Sequence, residues 1–119
     1  MILVDSSVWI DHLRATDRAL AALLDRAQVL AHPFVVGELS LGILGQRRAI
    51  LDALQGLPQA IVAKDSEVLA FIDRYALHGR GIGYIDAHLL ASVRLTADAA
   101  LWTRDKRLQA VAAEFGIAA

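Results

Sequence analysis

A chain of 119 residues suffices for one hydrophobic core of ordinary size, so a single domain over 1–119 is expected. Apolar residues make up 56% of it, yet no apolar run nears the ~18 residues of a membrane-crossing helix, and its start lacks the basic segment and cleavage site of a secretory signal, so a cytoplasmic protein with no membrane partner is expected. The absence of cysteine excludes disulfides and thiolate metal sites, leaving carboxylates and histidines as ligands, and the net charge of -1 is not that of a strongly basic polyanion binder.

In chain order, Ile2-Leu3-Val4 predict a short strand, closed by Asp5-Ser6-Ser7, with Ser6 or Ser7 capping a helix that carries Val8, Trp9 and Leu13. A second helix runs from Asp17 through Arg26, and Gln28 to Ala31 predict a second strand. Pro33 suits a first helical turn; FVVGELSLGIL, then Gly45-Gln46, then RRAILDALQG predict a helical hairpin. QAIVA (59–63) reads as a third strand, followed by a helix capped by Asp65 with Val68, Leu69, Ile72 and Leu77 on its buried side. After Gly79, Gly81 and Gly83 a helix is expected over 85–96, then a strand over 99–103 and a last helix in KRLQAVAAEF. Strands alternating with helices predict a three-layer α/β/α fold with a central parallel sheet, whose chemistry lies beyond the carboxyl ends of the strands.

Four acids stand out by position. Asp5 and Asp105 follow predicted strands. Glu38 is the only charged residue between Arg26 and Arg47 and interrupts an apolar helix; Asp86 shares a helical face with Leu90 and Val93. Singly, each has a plain structural reading as a cap, a turn or an ion-pair partner. Carboxylates converging on one edge without cations would repel and raise their own pKa values, so convergence calls for a divalent metal, and an all-oxygen set favours Mg²⁺ or Mn²⁺. Ser6 and Thr103 flank the acids as supporting hydroxyls, whereas capping is the simpler reading of Ser7. His12, His32, His78 and His88 read as surface or satisfied histidines, and Trp9 and Trp102 as core. The basic clusters Arg47-Arg48, Arg74 with Arg80, and Arg104-Lys106-Arg107 read as solvated faces.

The order strand-Asp5-Ser6-Ser7, Glu38-Leu39-Ser40-Leu41-Gly42, Asp86-Ala87-His88-Leu89-Leu90-Ala91 and Thr103-Arg104-Asp105 resembles the PIN-domain nucleases, most of all their VapC-type toxin branch. It departs mildly, with serine for the commoner threonine after the first acid and Leu108 where an aromatic is frequent. The resemblance implies a metal-dependent endoribonuclease that hydrolyses phosphodiester bonds with a metal-activated water. Asp5, Glu38 and Asp86 would form the principal metal site, with Asp105 on a second ion or its waters. It also implies an RNA substrate, a VapB-type antitoxin that blocks the site, a homodimer and a hetero-oligomer with the antitoxin.

Two other readings compete. A phosphatase wants a second acid where Ser7 stands, a receiver wants paired early acids and a late lysine, and Gly79 to Gly83 lacks the lysine-serine ending of a phosphate loop. A non-catalytic binding module on the same scaffold has no need of four mutually repelling acids.

Overall fold

Ile2, Leu3 and Val4 form β1 (Ile2–Val4), the middle strand of a parallel three-stranded sheet ordered β2-β1-β3, with β2 at Val29–Leu30 and β3 at Ala100–Trp102. The computed structural model describes all residues from 1 to 119. Leu3 sits between Leu30 and Leu101, and Val4 opposite Trp102. Because strands in such a sheet are covered on both faces, they read as unbroken apolar runs, and Leu3, Val4, Val29 and Leu101 are all buried. The C-terminus adds a partial edge, Ala118 bridging to Leu101 in parallel.

Seven helices surround the sheet: α1 (Ser6–Arg14), α2 (Arg18–Asp25), α3 (Pro33–Ser40), α4 (Arg47–Gln55), α5 (Asp65–Arg74), α6 (Tyr84–Leu95) and α7 (Lys106–Glu114). α1 packs on α3 and α3 on α4, the expected hairpin, while α5 packs on α6, and α6 and α7 pack on β3. α6 buries every residue from Ala87 to Val93, so it is a central helix and not an amphipathic cover. One core joins both helical groups to the sheet, with a satellite of Ala63, Val68, Ala87 and Ala91 under α5. No helix is long and apolar enough to cross a membrane.

Three expectations need correction. QAIVA is not a strand. Ala31 N–H donates to the Pro58 carbonyl and Ala60 N–H to the Ala31 carbonyl, but beyond that the Ile61 N–H is taken by the Thr96 hydroxyl at 3.0 Å, which draws the chain off the sheet towards the end of α6. Asp65 is the first residue of α5; its cap is Lys64, whose N–H donates to Glu67. Leu69 faces water, 56% exposed, because it lies about 100° around the helix from Val68, which holds the buried face.

His32 is fully buried. Its Nδ1 accepts the Phe34 N–H at 3.0 Å, capping α3, so its Nε2 carries the proton and donates to Ser92 Oγ at 3.0 Å. Burial, with the charge of His88 second, lowers its pKa from 6.5 to about 4. The unfolded chain takes up a proton in that interval that the folded chain refuses, so stability falls as pH drops from 6.5 towards 4. The expected loss is at most about 3 kcal/mol. Urea unfolding of the wild type and His32→Asn at neutral pH and at pH near the lower value should show the larger acid loss in the wild type; equal losses contradict this placement of the proton.

Candidate active site

Asp5 ends β1 and is 5% exposed. It occupies the N-cap position of α1, but its carboxylate caps nothing. Instead Oδ2 accepts two hydroxyls at 2.8 Å, from Ser7 in the first turn of α1 and from Thr103 just beyond β3. Ser7 also accepts the Arg104 N–H at 3.1 Å, so the expected capping role of this serine is replaced by a bridge between α1 and the end of β3. The two central strands thus close on one carboxylate. Oδ1 has only the Ser6 hydroxyl, at 3.5 Å.

Ser6 donates as well to Glu38 Oε1 at 3.2 Å, joining α1 to α3. Glu38 is exposed, because α3 turns Val35 and Leu39 into the core and Glu38 towards the cleft. Asp86, partly buried at the third position of α6, accepts the Gly83 N–H on Oδ2 at 3.0 Å. Asp105 is the N-cap of α7 and accepts the Arg107 and Leu108 N–H groups on Oδ1 at 2.9 and 3.0 Å. Its own N–H donates to Thr103 Oγ1.

A common pattern follows. In each of the four carboxylates one oxygen is anchored, by hydroxyls or by backbone N–H groups, while the other takes at most a long contact. They also share a field. Glu38 is raised above its ordinary value by partial burial first and then, against the lowering effect of Ser6, by the charges of Asp5 and Asp86. Asp86 is raised by burial and by the charges of Asp5 and Asp105, against the Gly83 N–H. Asp5, Glu38, Asp86 and Asp105 come from four segments distant in sequence, and the charge of Asp5 reaches Glu38 and Asp86 while that of Asp105 reaches Asp86.

No three acidic or histidine side chains close to ligand spacing. The donor set nevertheless suits a hard cation: oxygen only, none of the four ion-paired with lysine or arginine, and two of them unfavourable as bare anions. Arg104, adjacent to Asp105 in sequence, turns away to Asp11 and Asp17 and tethers the loop after β3 to α1 and the cap of α2. Reading the sequence missed this clamp and the role of Ser7, since both join residues about ninety positions apart.

His88 is also more than a satisfied histidine. Fully buried, it donates from Nε2 to Asp65 at 2.9 Å, beside the Tyr84 hydroxyl on the same oxygen, and its Nδ1 has no partner. The contact ties α5 to the first turns of α6, which hold Asp86. Trp9 is core as expected, whereas Trp102 is only half-buried, under the Arg104 guanidinium. Beside Glu38 a groove of about 310 Å³ runs between α1 and the α3–α4 hairpin, lined by Ile10, Leu13, Arg14, Ile43, Leu44 and Ile50 among others.

The PIN domain family model matches residues 2–114. Ribonuclease VapC32 of Mycobacterium tuberculosis, from strain CDC 1551 and from strain H37Rv, is 52% identical to this chain over 118 residues, which is 99% of the chain and 95% of the relative. A family match over nearly the whole chain agrees with a relative aligned over 95% of its own length: the chain belongs to the PIN-domain family.

Proposed function

We propose that the protein is a VapC-type endoribonuclease toxin, a single nuclease domain over 1–119 acting in the cytoplasm. It would use Mg²⁺ or Mn²⁺ held by Asp5, Glu38, Asp86 and Asp105. The observation that carries this reading is the set of four carboxylates from separate segments, each with one oxygen anchored and the other available. The full-length likeness to a ribonuclease supports the same substrate class.

When bound, a divalent cation supplies Lewis acidity towards the phosphate and a water of lowered pKa. The protein's own contribution is position. Ser7 and Thr103 fix the Asp5 carboxylate so that its other oxygen cannot swing away, Gly83 does so for Asp86, and the first turn of α7 does so for Asp105. Glu38, raised in basicity and held only by Ser6, is the group best placed to take a proton from an attacking water.

The partner reading extends from the same site. A VapB-type antitoxin would lay an aliphatic segment in the groove of Ile10, Leu13 and Ile43 and bring a cation to Glu38, where the uncompensated charge lies. A homodimer would cover Leu69 and Leu95, exposed on α5 and α6.

Incubating total RNA with the protein and mapping the cut ends tests the activity. Cleavage should require Mg²⁺ or Mn²⁺, stop in EDTA, and fall about 100-fold or more in Asp5→Asn, Glu38→Gln and Asp86→Asn with circular dichroism unchanged. Asp105→Asn should be mildest, since asparagine keeps the α7 cap. Cleavage undiminished by EDTA or by Asp86→Asn overturns the reading.

Thermal melts supply a second test. With Glu38 and Asp86 raised on folding, the folded chain holds more protons than the unfolded one between the two sets of values, so metal-free stability falls as pH climbs through that interval and stays lower above it. At neutral pH, Asp5→Asn should therefore melt higher than the wild type in EDTA. Metal at a hundred times its Kd should stabilise the wild type by about 2.7 kcal/mol and the variant far less. Identical melting behaviour of both proteins in all conditions contradicts a shared carboxylate field.

A further inference from the structure

The ribonuclease reading leaves one electrostatic problem unsolved: a cluster of four carboxylates repels the polyanion it is to cut. A metal answers this at the scissile phosphate, but not at the neighbouring phosphates that must be drawn along the cleft. Arg107 joins the segments that carry Asp105 and Asp86. Its N–H donates to Asp105 at 2.9 Å, at the start of α7, and its side chain crosses to the loop that delivers Asp86.

There it packs against Gly81, so closely that a Cβ at that position would stand 2.6 Å from the Arg107 Cδ and 2.7 Å from Nη1. Gly81 has φ +81°, a conformation that L side chains rarely adopt, so the backbone offers a cradle for two independent reasons. The same loop is fastened further along α7 by Arg80, which pairs with both carboxylate oxygens of Glu114 at 2.9 and 3.0 Å. Arg80 is thereby neutralised. Arg107 is not: it has no carboxylate partner, and its guanidinium has no hydrogen bond. A solvated surface arginine normally loses much side-chain freedom on binding, whereas one seated in a glycine cradle has lost part of it already.

We propose that Arg107 is a substrate-binding residue that holds an RNA phosphate flanking the cleaved one, from the rim between Asp86 and Asp105. Gly81 is the positioning residue that seats it. The inference rests on the ribonuclease reading for its substrate, and on the geometry of Arg107 for its site.

The test uses a 5′-fluorescein-labelled oligoribonucleotide of mixed sequence and three proteins: wild type, Arg107→Met, which keeps the aliphatic stem on Gly81, and Arg107→Lys, which keeps the charge. Anisotropy in EDTA reads binding without turnover, and cleavage in Mn²⁺ reads kcat and KM, both over a range of salt. Arg107→Met should weaken binding or raise KM about tenfold at low salt with kcat changed little, and lower the salt slope by roughly 0.7, the loss of one phosphate contact on single-stranded nucleic acid. Arg107→Lys should keep the wild-type slope. If Arg107→Met binds and cleaves like wild type, or if methionine restores what lysine does not, the contact is packing and the proposal falls while the nuclease reading stands. A wild type that neither binds nor cleaves the RNA overturns both.

Discussion

The repulsion among Asp5, Glu38, Asp86 and Asp105 is the constraint around which the rest of this fold is arranged. Burial first, and then the charges of neighbouring acids, raise Glu38 and Asp86 above their ordinary values, so a chain that gathers such groups must hold each by other means. The means here is one anchored oxygen per carboxylate. The anchors are the hydroxyls of Ser6, Ser7 and Thr103 and the N–H groups of Gly83, Arg107 and Leu108, which fix direction without cancelling charge.

Cations are kept for other work. Arg104, adjacent to Asp105, is committed to Asp11 and Asp17, and Arg80, close to Asp86 in sequence, to Glu114. Each pairing ties an element bearing a site acid to the body of the protein, yet neither brings a positive charge onto the acids. The site is left anionic and the scaffold around it neutralised. Such a division suits a place that a hard cation enters from outside, and it leaves Lys106 and Arg107, in the first turn of the helix that Asp105 caps, as cations with no ion-pair partner.

The sequence made the outline of the site legible because its signals were local. An acid straight after Ile2-Leu3-Val4, an acid inside FVVGELSLGIL and an acid after a glycine loop are anomalies visible in a few residues each. β1, β2, β3 and the hairpin followed from periodicity. What stayed hidden depended on partners far along the chain. QAIVA has a strand's composition, and only the Thr96 hydroxyl at the end of α6 takes Ile61 away from the sheet. Ser7 looks like a cap until Thr103 and Arg104 arrive beside it. Glu38 interrupts an apolar run, but its exposure depends on the groove between α1 and α3, which no window of sequence describes. His88 lies two residues from Asp86, and its attachment to Asp65 needs α5 and α6 packed together.

The shared field is directly measurable by following the carboxyl ¹³C resonances of the metal-free protein through a pH titration, in the wild type and in Asp5→Asn. The account predicts that Glu38 and Asp86 both titrate above their ordinary values of 4.5 and 3.8 in the wild type, and that both move down when the Asp5 charge is removed. Ordinary values for both in the wild type, or raised values indifferent to Asp5, would mean that the four acids do not share one site.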